Sequence, residues 1–374
     1  MSIETVSTAT DADHLSDLRR QVREVVAAAG IAPRTDSWMR GFDASFTERV
    51  AERGWIGMSW PAEYGGGGRS NLERMVVTEE LLRAGAPVTA HWTADRQIGP
   101  AILRVGSDEL KAEFLPGIRR GEIVVGLGMS ETEAGSDLAA VRTRAVPDGD
   151  GWRVTGAKVW TTSAHHATHI YVLARTSDED ARHEGLTEFL VDSDAPGIEI
   201  RPILDMVGEH HFNEVVFADV PVPAGRALGT VGQGWKQVTE QLAFERGGAE
   251  RYLSTYPLLA AMVRSAARVR DRAVTERVGS LAAQLVGLRQ LSVQVATALD
   301  AGEVPGRLAS ALKLRGTTFE KEVVETARYV LDVCGADAEA SRLLVDGLAA
   351  VPGASIRGGA SEVMRTVIGR SEVC

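Results

Sequence analysis

The chain has 374 residues, 44% of them hydrophobic, enough to bury a core spread over two or three structural layers. Acidic residues outnumber basic ones by 51 to 41, a formal charge of −10. That balance opposes a general attraction to nucleic acid or an anionic membrane, though a few converging Arg or Lys residues could still hold a small anionic ligand. No apolar run is long enough for membrane insertion, and the first residues show neither the basic start nor the apolar stretch of a secretory signal. The cysteines are Cys334 and the terminal Cys374, which suits a reducing, cytoplasmic setting without a disulfide framework or a CaaX ending.

From His14 to about Leu115 the spacing is mostly helical. Leu15, Leu18, Val22, Val25 and Val26 share one face, with Asp11 or Asp13 available as a cap. A second helix is expected over 42–53, stopping at Gly54, and a glycine-rich loop over 54–70. Helical spacing returns at 71–83 and again at 98–115. Between about Glu122 and Leu228 short β-prone runs take over, at 123–127, 152–154, 168–174, 187–191, 198–200 and 215–217. Their close spacing, without helices between them, predicts an antiparallel sheet or small barrel. Past Gly232 the helical pattern resumes. Leu281, Leu285, Leu288, Val295 and Leu299 form one stripe, and Leu308, Leu312, Phe319, Val323 and Val330 another after the turn at 301–306. Such a pair is a natural half of a four-helix bundle. The expected class is α+β, mainly helical, with a helical region at 1–121, a β-region at 122–230 and helices at 231–374.

Two segments in the β-region carry chemistry. Gly126–Asp137 (GLGMSETEAGSD) ends a β-prone run and offers Leu127, Met129, the Ser130 hydroxyl and the small residues Gly135 and Ser136. Lys158–Ser163 (KVWTTS) adds the Trp160 indole and the hydroxyls of Thr161 and Thr162. A flavin ring needs hydrogen-bond donors along its N1, O2, N5 and O4 edge and a flat surface against its face, which these segments supply. Taken singly, each segment has a plainer reading: an ordinary turn at 134–137, and Trp160 as a core aromatic.

Taken together, the two segments resemble the acyl-CoA dehydrogenase family. Its sheet domain carries a pattern near M-(S/T)-E-x-x-(A/G)-G-S-D followed by W-(I/T)-(T/S)-(N/S). Further similar stretches lie at 54–66, 99–106, 217–223 and 358–370, so the resemblance covers nearly the whole chain. It implies an N-terminal helical domain, a central β-domain binding FAD and acyl-CoA, and a C-terminal four-helix bundle. It also implies α,β-dehydrogenation of an acyl-CoA to the trans-2-enoyl thioester. Flavin N5 takes the hydride and a separate acceptor, such as electron-transfer flavoprotein, takes the electrons. A desolvated carboxylate serves as the α-proton base, and hydrogen bonds to the thioester carbonyl stabilise the enolate.

Many relatives place that base in a C-terminal I-Y-E-G-T motif, but this chain has Gly358 there, within Ile356–Ala360. A second group places it in an (L/F)-E-R-like segment of the first C-terminal helix, which matches Leu242–Gly247. The resemblance therefore makes Glu245 the base, with Phe244, Arg246 and Ser136 beside the substrate. The small Gly358 and Gly359 would then leave one pocket wall open to a bulky acyl group. The R-x-x-F-G stretch through which relatives lend contacts to a neighbour's FAD lacks its F-G pair at 264–279, and the Q-x-x-G-G segment is replaced at 329–335. This implies a related partner subunit in a heterotetramer, of the kind known for actinobacterial members acting on steroid side chains, with a homo-oligomer as the alternative. Other readings keep the fold but make the chain an oxidase or monooxygenase, an enzyme of carrier-bound acyl chains, or a non-catalytic partner subunit. His165, His166 and His169 approach a strand, where their spacing does not gather them for zinc, and the glycines at 65–68 lack the G-K-(S/T) of a phosphate loop.

Overall fold

The computed structural model describes residues 9–179, 181–245 and 247–370; the side chains of residues 9–12 and 242–245 lie outside that description. Helix α1 (Ala9–Ala29) is already formed at Ala9, so Asp11 and Asp13 sit within it and neither is a cap at its start. Leu18, Val22 and Val25 are buried along its inner face, as their spacing predicts. After the short α2 (Ser37–Arg40), α3 (Ala44–Glu52) opens on Asp43, whose carboxylate accepts from the Phe46 N–H. Helix α4 (Asn71–Arg83) begins with a capping box, in which Ser70 and Glu73 each satisfy the other's backbone N–H. The expected helix over 98–115 is broken in two. A π-helical turn at Ala94–Ile98 joins α5 (Thr89–Thr93) to α6 (Gly99–Val105), and Ser107 then caps α7 (Asp108–Arg119).

The middle of the chain forms an eight-stranded sheet. Its strands are β1 (Val125–Gly128), β2 (Arg144–Asp148), β3 (Gly151–Thr162), β4 (His169–Arg175), β5 (Leu186–Asp192), β6 (Ile198–Leu204), β7 (His210–Val222) and β8 (Ala227–Leu228). Most pairings are antiparallel, but β1 joins β4 in parallel, and β2 touches β4 in the same sense. The periodicity missed β2 and β8 and found only the first residues of β3 and the centre of β7.

The C-terminal helices are α8 (Gly234–Glu245), α9 (Glu250–Leu253), α10 (Tyr256–Ala266), α11 (Arg272–Asp300), α12 (Gly306–Cys334), α13 (Ala338–Ala354) and α14 (Ser361–Arg370). Helix α12 is the hub, packing on α9, α10, α11, α13 and α14. Two buried glutamates of α4 tie both helical regions together. Glu79 bonds Arg19 of α1 and pairs with Arg289 of α11 at 2.9 Å, while Glu80 holds Arg19 and Arg23 at 2.7 Å. Arg40 and Arg34 reach the carboxylates of Asp205 and Glu209 in the β6–β7 turn, joining helices to sheet. Among the described residues, no helix is long and apolar enough to cross a membrane.

On α5, buried His91 shares a hydrogen bond of 2.9 Å with the Thr47 hydroxyl. Burial, helped by the Arg96 charge, pushes its pKa down to about 3. Since this lies below the unfolded value, the unfolded chain takes up the proton first, and stability falls as pH drops from about 6.5 towards 3. The expected contribution is a loss of about 2 kcal/mol between pH 7 and pH 5. Urea unfolding at the two pH values should show this loss reduced in His91→Gln.

Candidate functional site

The site is organised around the junction of β1 and β3. Lys158 on β3 is fully buried and donates to the Met129 carbonyl at 3.2 Å and to Glu131 at 2.8 Å. Glu131 also accepts from the backbone N–H groups of Arg142 and Thr143, at 2.7 and 2.9 Å. Burial pushes Lys158 down to about 8 against the opposing pull of Glu131. For Glu131, burial acts upward, yet Lys158 and the backbone donors bring its pKa below the usual carboxylate value. The Val159 N–H closes the junction on the Ser130 carbonyl at 2.9 Å. The loop after β1 is thereby bolted to the strand that carries Trp160.

Beyond Lys158 the β3–β7 register breaks, and pairing resumes at Thr161 opposite Asn213. Trp160 takes φ 60° and Ser163 φ 52°, a left-handed backbone that a bulky residue adopts only where its surroundings impose it. The bulge turns the indole outward: Trp160 is 58% exposed, with the Phe212 ring set edge-on to it at 5.7 Å. This excludes the reading of Trp160 as a core aromatic. Ser130 and Thr162 are half-buried near it, and among the described residues neither hydroxyl has a protein partner. Leu127 and Met129 are half-buried on the same loop and strand, while Gly135 and Ser136 lie exposed farther along. Thr161 departs from expectation. Its side chain points into the core, its methyl against Gly126, and its hydroxyl has no partner among the described residues. Only its backbone meets this face, its carbonyl accepting from Asn213 at 3.0 Å.

His165 lies between His166 and His210, with the His166 ring 4.1 Å away, while His169 stands apart. His165 stacks on His210 with ring centres 3.9 Å apart, His166 stacks on Phe42 at 4.0 Å, and His169 pairs with Asp192 at 3.2 Å. Asp205, Glu209 and His211 bring ligand atoms within 4.8 Å of one another, but Arg40 and Arg34 already neutralise the carboxylates, which makes this cluster an ion-paired joint.

On the helical side, α8 ends at Glu245. The side chains of Phe244 and Glu245, and all of Arg246, fall outside the described residues. The position that many relatives fill with glutamate is instructive. Gly358 has φ 62°, and a Cβ there would overlap the Arg251 guanidinium. Arg251 is buried, pairs with Glu250 at 3.1 Å and lies over Trp38 at 5.5 Å. The room beside Gly358 is thus filled by a cation and does not open the pocket, contrary to the expectation drawn from small residues. Around it runs a buried polar network absent from the sequence reading. Arg357 bonds Asp36 at 2.5 Å and lies over Trp38, while Glu320 accepts from the Ser254 N–H at 3.0 Å. Burial lifts Glu320 to about 8 despite Arg357. The one visible signal was the second Glu-Arg pair, at 250–251, five residues after the first.

Helices flanking a sheet whose strand ends present a bare indole and two unpartnered hydroxyls define a flavoprotein oxidoreductase scaffold. Three family models match in chain order: the acyl-CoA dehydrogenase N-terminal domain at 12–122, the middle domain at 126–220 and the C-terminal domain at 232–372. The chain belongs to the acyl-CoA dehydrogenase family, whose members depend on FAD. It is 35% identical to acyl-CoA dehydrogenase IpdE1 of Mycobacterium tuberculosis (strain ATCC 25618 / H37Rv) over 294 residues, 77% of this chain and 75% of that protein. Among solved structures, the Tcur3481-Tcur3483 steroid ACAD superposes with a TM-score of 0.86 at 29% identity, covering 96% of this chain and 97% of that one. The ChsE4-ChsE5 complex from Mycobacterium tuberculosis gives 0.82 at 28% identity, covering 100% and 99%.

The Lys158–Glu131 pair is open to a direct test. Lys158→Met leaves a buried carboxylate facing only backbone donors and is expected to cost about 3–5 kcal/mol in urea unfolding. Adding Glu131→Gln should recover part of that loss; strict additivity of the two substitutions would show that the pair is not coupled.

Proposed function

We propose that the protein is an FAD-dependent acyl-CoA dehydrogenase that forms the trans-2-enoyl thioester, with Glu245 as α-proton base. The observation that carries this reading is Trp160, held outward on a left-handed backbone beside two hydroxyls that have no protein partner among the described residues. The residues present fit FAD: Ser130 and Thr162 can donate to the ring's edge, Trp160 can cover one face, and Leu127, Met129, Gly135 and the Thr161 backbone complete the wall. When bound, FAD supplies the hydride acceptor for the substrate's β carbon. Ser136, Phe244 and Arg246 hold the thioester end of the substrate.

An α-CH is a very weak acid, so the base must act on a carbon whose developing enolate is stabilised by hydrogen bonds to the thioester carbonyl. A carboxylate taken out of water, with its pKa raised towards neutrality, does this best. The Arg251 guanidinium beside Gly358 supports a base at the end of α8, because a glutamate side chain has no room at 358. Glu250, five residues on, is committed to Arg251. Reducing equivalents then leave for a separate acceptor, such as electron-transfer flavoprotein. The missing F-G pair at 264–279 supports assembly with a related subunit that lends the rest of the FAD wall. Two similar structures, Tcur3481-Tcur3483 and ChsE4-ChsE5, each carry the names of two components.

Anaerobic addition of an acyl-CoA should bleach the flavin of the purified protein. Glu245→Gln should retain flavin and slow bleaching by at least about a hundredfold, whereas Glu250→Gln should bleach at a measurable fraction of the normal rate. Full turnover in Glu245→Gln would refute the assignment, and rapid reoxidation in air with peroxide release would mark an oxidase. A second test concerns assembly: co-expression with neighbouring reading frames should yield a mixed oligomer with fewer flavins than chains. A homotetramer of this chain alone, with one FAD per chain, would sink the two-subunit reading.

A further inference from the structure

Helix α8 is fastened to the sheet at its start and carries the proposed base at its end. Four-residue spacing sets Gln237, Gln241 and position 245 along one strip of it, each step turning only about 40° around the axis. Gln237 and Gln241 are both buried. The Gln237 carboxamide is engaged at both ends: its Nε2 donates to Glu188 at 2.9 Å and to the Leu228 carbonyl at 3.0 Å, while its Oε1 accepts from the Thr230 N–H at 3.1 Å. A Cβ on Gly229 would overlap that amide, so the turn after β8 closes directly onto it. One helical turn on, Gln241 donates to the Gln97 carbonyl of the π-helical turn at 3.3 Å.

Glu188 is the centre of this fastening. It is buried in β5 opposite Leu228 of β8, and its other carboxylate oxygen accepts from the Tyr171 hydroxyl of β4 at 2.5 Å. Burial pushes its pKa up to about 6, against the Tyr171 and Gln237 hydrogen bonds and the charge of Arg104, which itself reaches Glu240 of α8 at 3.8 Å. A carboxylate this far from water relies on its protein donors for solvation, and such charge-assisted bonds are about twice as strong as neutral ones. Elsewhere α8 meets the sheet domain through Val238, packed among Leu138, Leu173 and Leu186. Apolar contacts of that kind hold the helix down but do not fix its rotation. The directional bonds from Glu188 through Gln237 do.

We propose that Glu188 and Gln237 are positioning residues for the reaction: together they set the rotation and height of α8, and so the place from which a base at 245 reaches the α carbon. This rests on the reading of Glu245 above and deepens it. Gln237 lies two helical turns, roughly 12 Å, before position 245, so the pair acts through the helix and not on the substrate. Proton abstraction needs the base within hydrogen-bond reach of the C–H, and a misplacement of about 1 Å costs on the order of a hundredfold in rate.

The test uses the flavin-loaded protein, with its partner subunit where one is needed, and whichever of butyryl-, octanoyl- and palmitoyl-CoA bleaches it fastest without oxygen. The 3-thia analogue of that substrate, with sulfur in place of the β carbon, has no hydride to give. Its long-wavelength charge-transfer band therefore reports α-proton abstraction alone. Gln237→Met should slow the band and the bleaching at least about tenfold, with flavin content unchanged and the acyl-CoA Kd within about threefold. Glu188→Gln, whose amide can accept from Gln237 and donate to the Tyr171 oxygen, should stay within about threefold of the unmodified protein in rate. If Gln237→Met does not hold flavin, the same substitution is measured in the Glu188→Gln background, where no charge is stranded. Unchanged band formation in the Gln237 variant overturns the proposal. Rate and affinity falling in parallel, or flavin lost in both backgrounds, also overturns it, since the pair would then serve the fold alone. Glu245→Gln is the reference. A normal band there removes the base assignment and this proposal with it, whereas no band there beside a normal one in Gln237→Met removes this proposal only. If no acyl-CoA bleaches the flavin, the function and the proposal fall together.

Discussion

A buried ion pair sets the geometry on which the site depends. Lys158 has no access to solvent, and its ammonium is held by one carboxylate and one carbonyl, both from the loop that follows β1. Desolvating an ammonium is expensive, so the chain tolerates Lys158 only while Glu131 stays in place, and Glu131 is fixed in turn by two backbone N–H groups. The loop is thereby locked to β3 at the residue before the register breaks. The left-handed backbone at Trp160 and the outward indole come directly after that lock. A hydrophobic contact at the same place would bury as much area but would not fix the loop's direction to within a hydrogen bond.

Electrostatics also organise the helical side, by a different device. Glu79 and Glu80 sit buried in α4 and collect arginines from α1 and α11, so one turn of helix joins both ends of the chain. The network of Asp36, Arg251, Glu320 and Arg357 does similar work around Trp38. In both cases nearly all the charged groups find partners.

Much of this was legible beforehand, and the failures have identifiable physical causes. Apolar stripes placed α1 and α11 because each buries one face, and α12 was placed by its stripe although it packs against helices on several sides. Strand centres such as that of β7 were visible because they are buried, whereas β2 and most of β3 are half-solvated and leave a weak alternation. The π-turn was invisible because one extra residue barely disturbs helical spacing. At the site, Ser130, Trp160 and Thr162 were singled out through a motif whose residue types flavin chemistry requires, and the structure turns the indole outward and leaves both hydroxyls half-buried. Thr161 was misjudged because alternation along a strand does not survive a bulge. Arg251 was missed because nothing local announces that a side chain will fill a space left by a glycine more than a hundred residues later.

That last contact bears on how such enzymes diverge. A glutamate at 358 and an arginine at 251 compete for one volume, so the two residues are alternatives at the level of packing. A single substitution at Gly358 would meet the guanidinium and a left-handed backbone together, and a single loss of Arg251 would strand Glu250 in the interior. Passage from one arrangement to the other therefore crosses a fitness valley at least two substitutions wide. Lineages on either side of it should keep their choice long after their substrates have drifted apart.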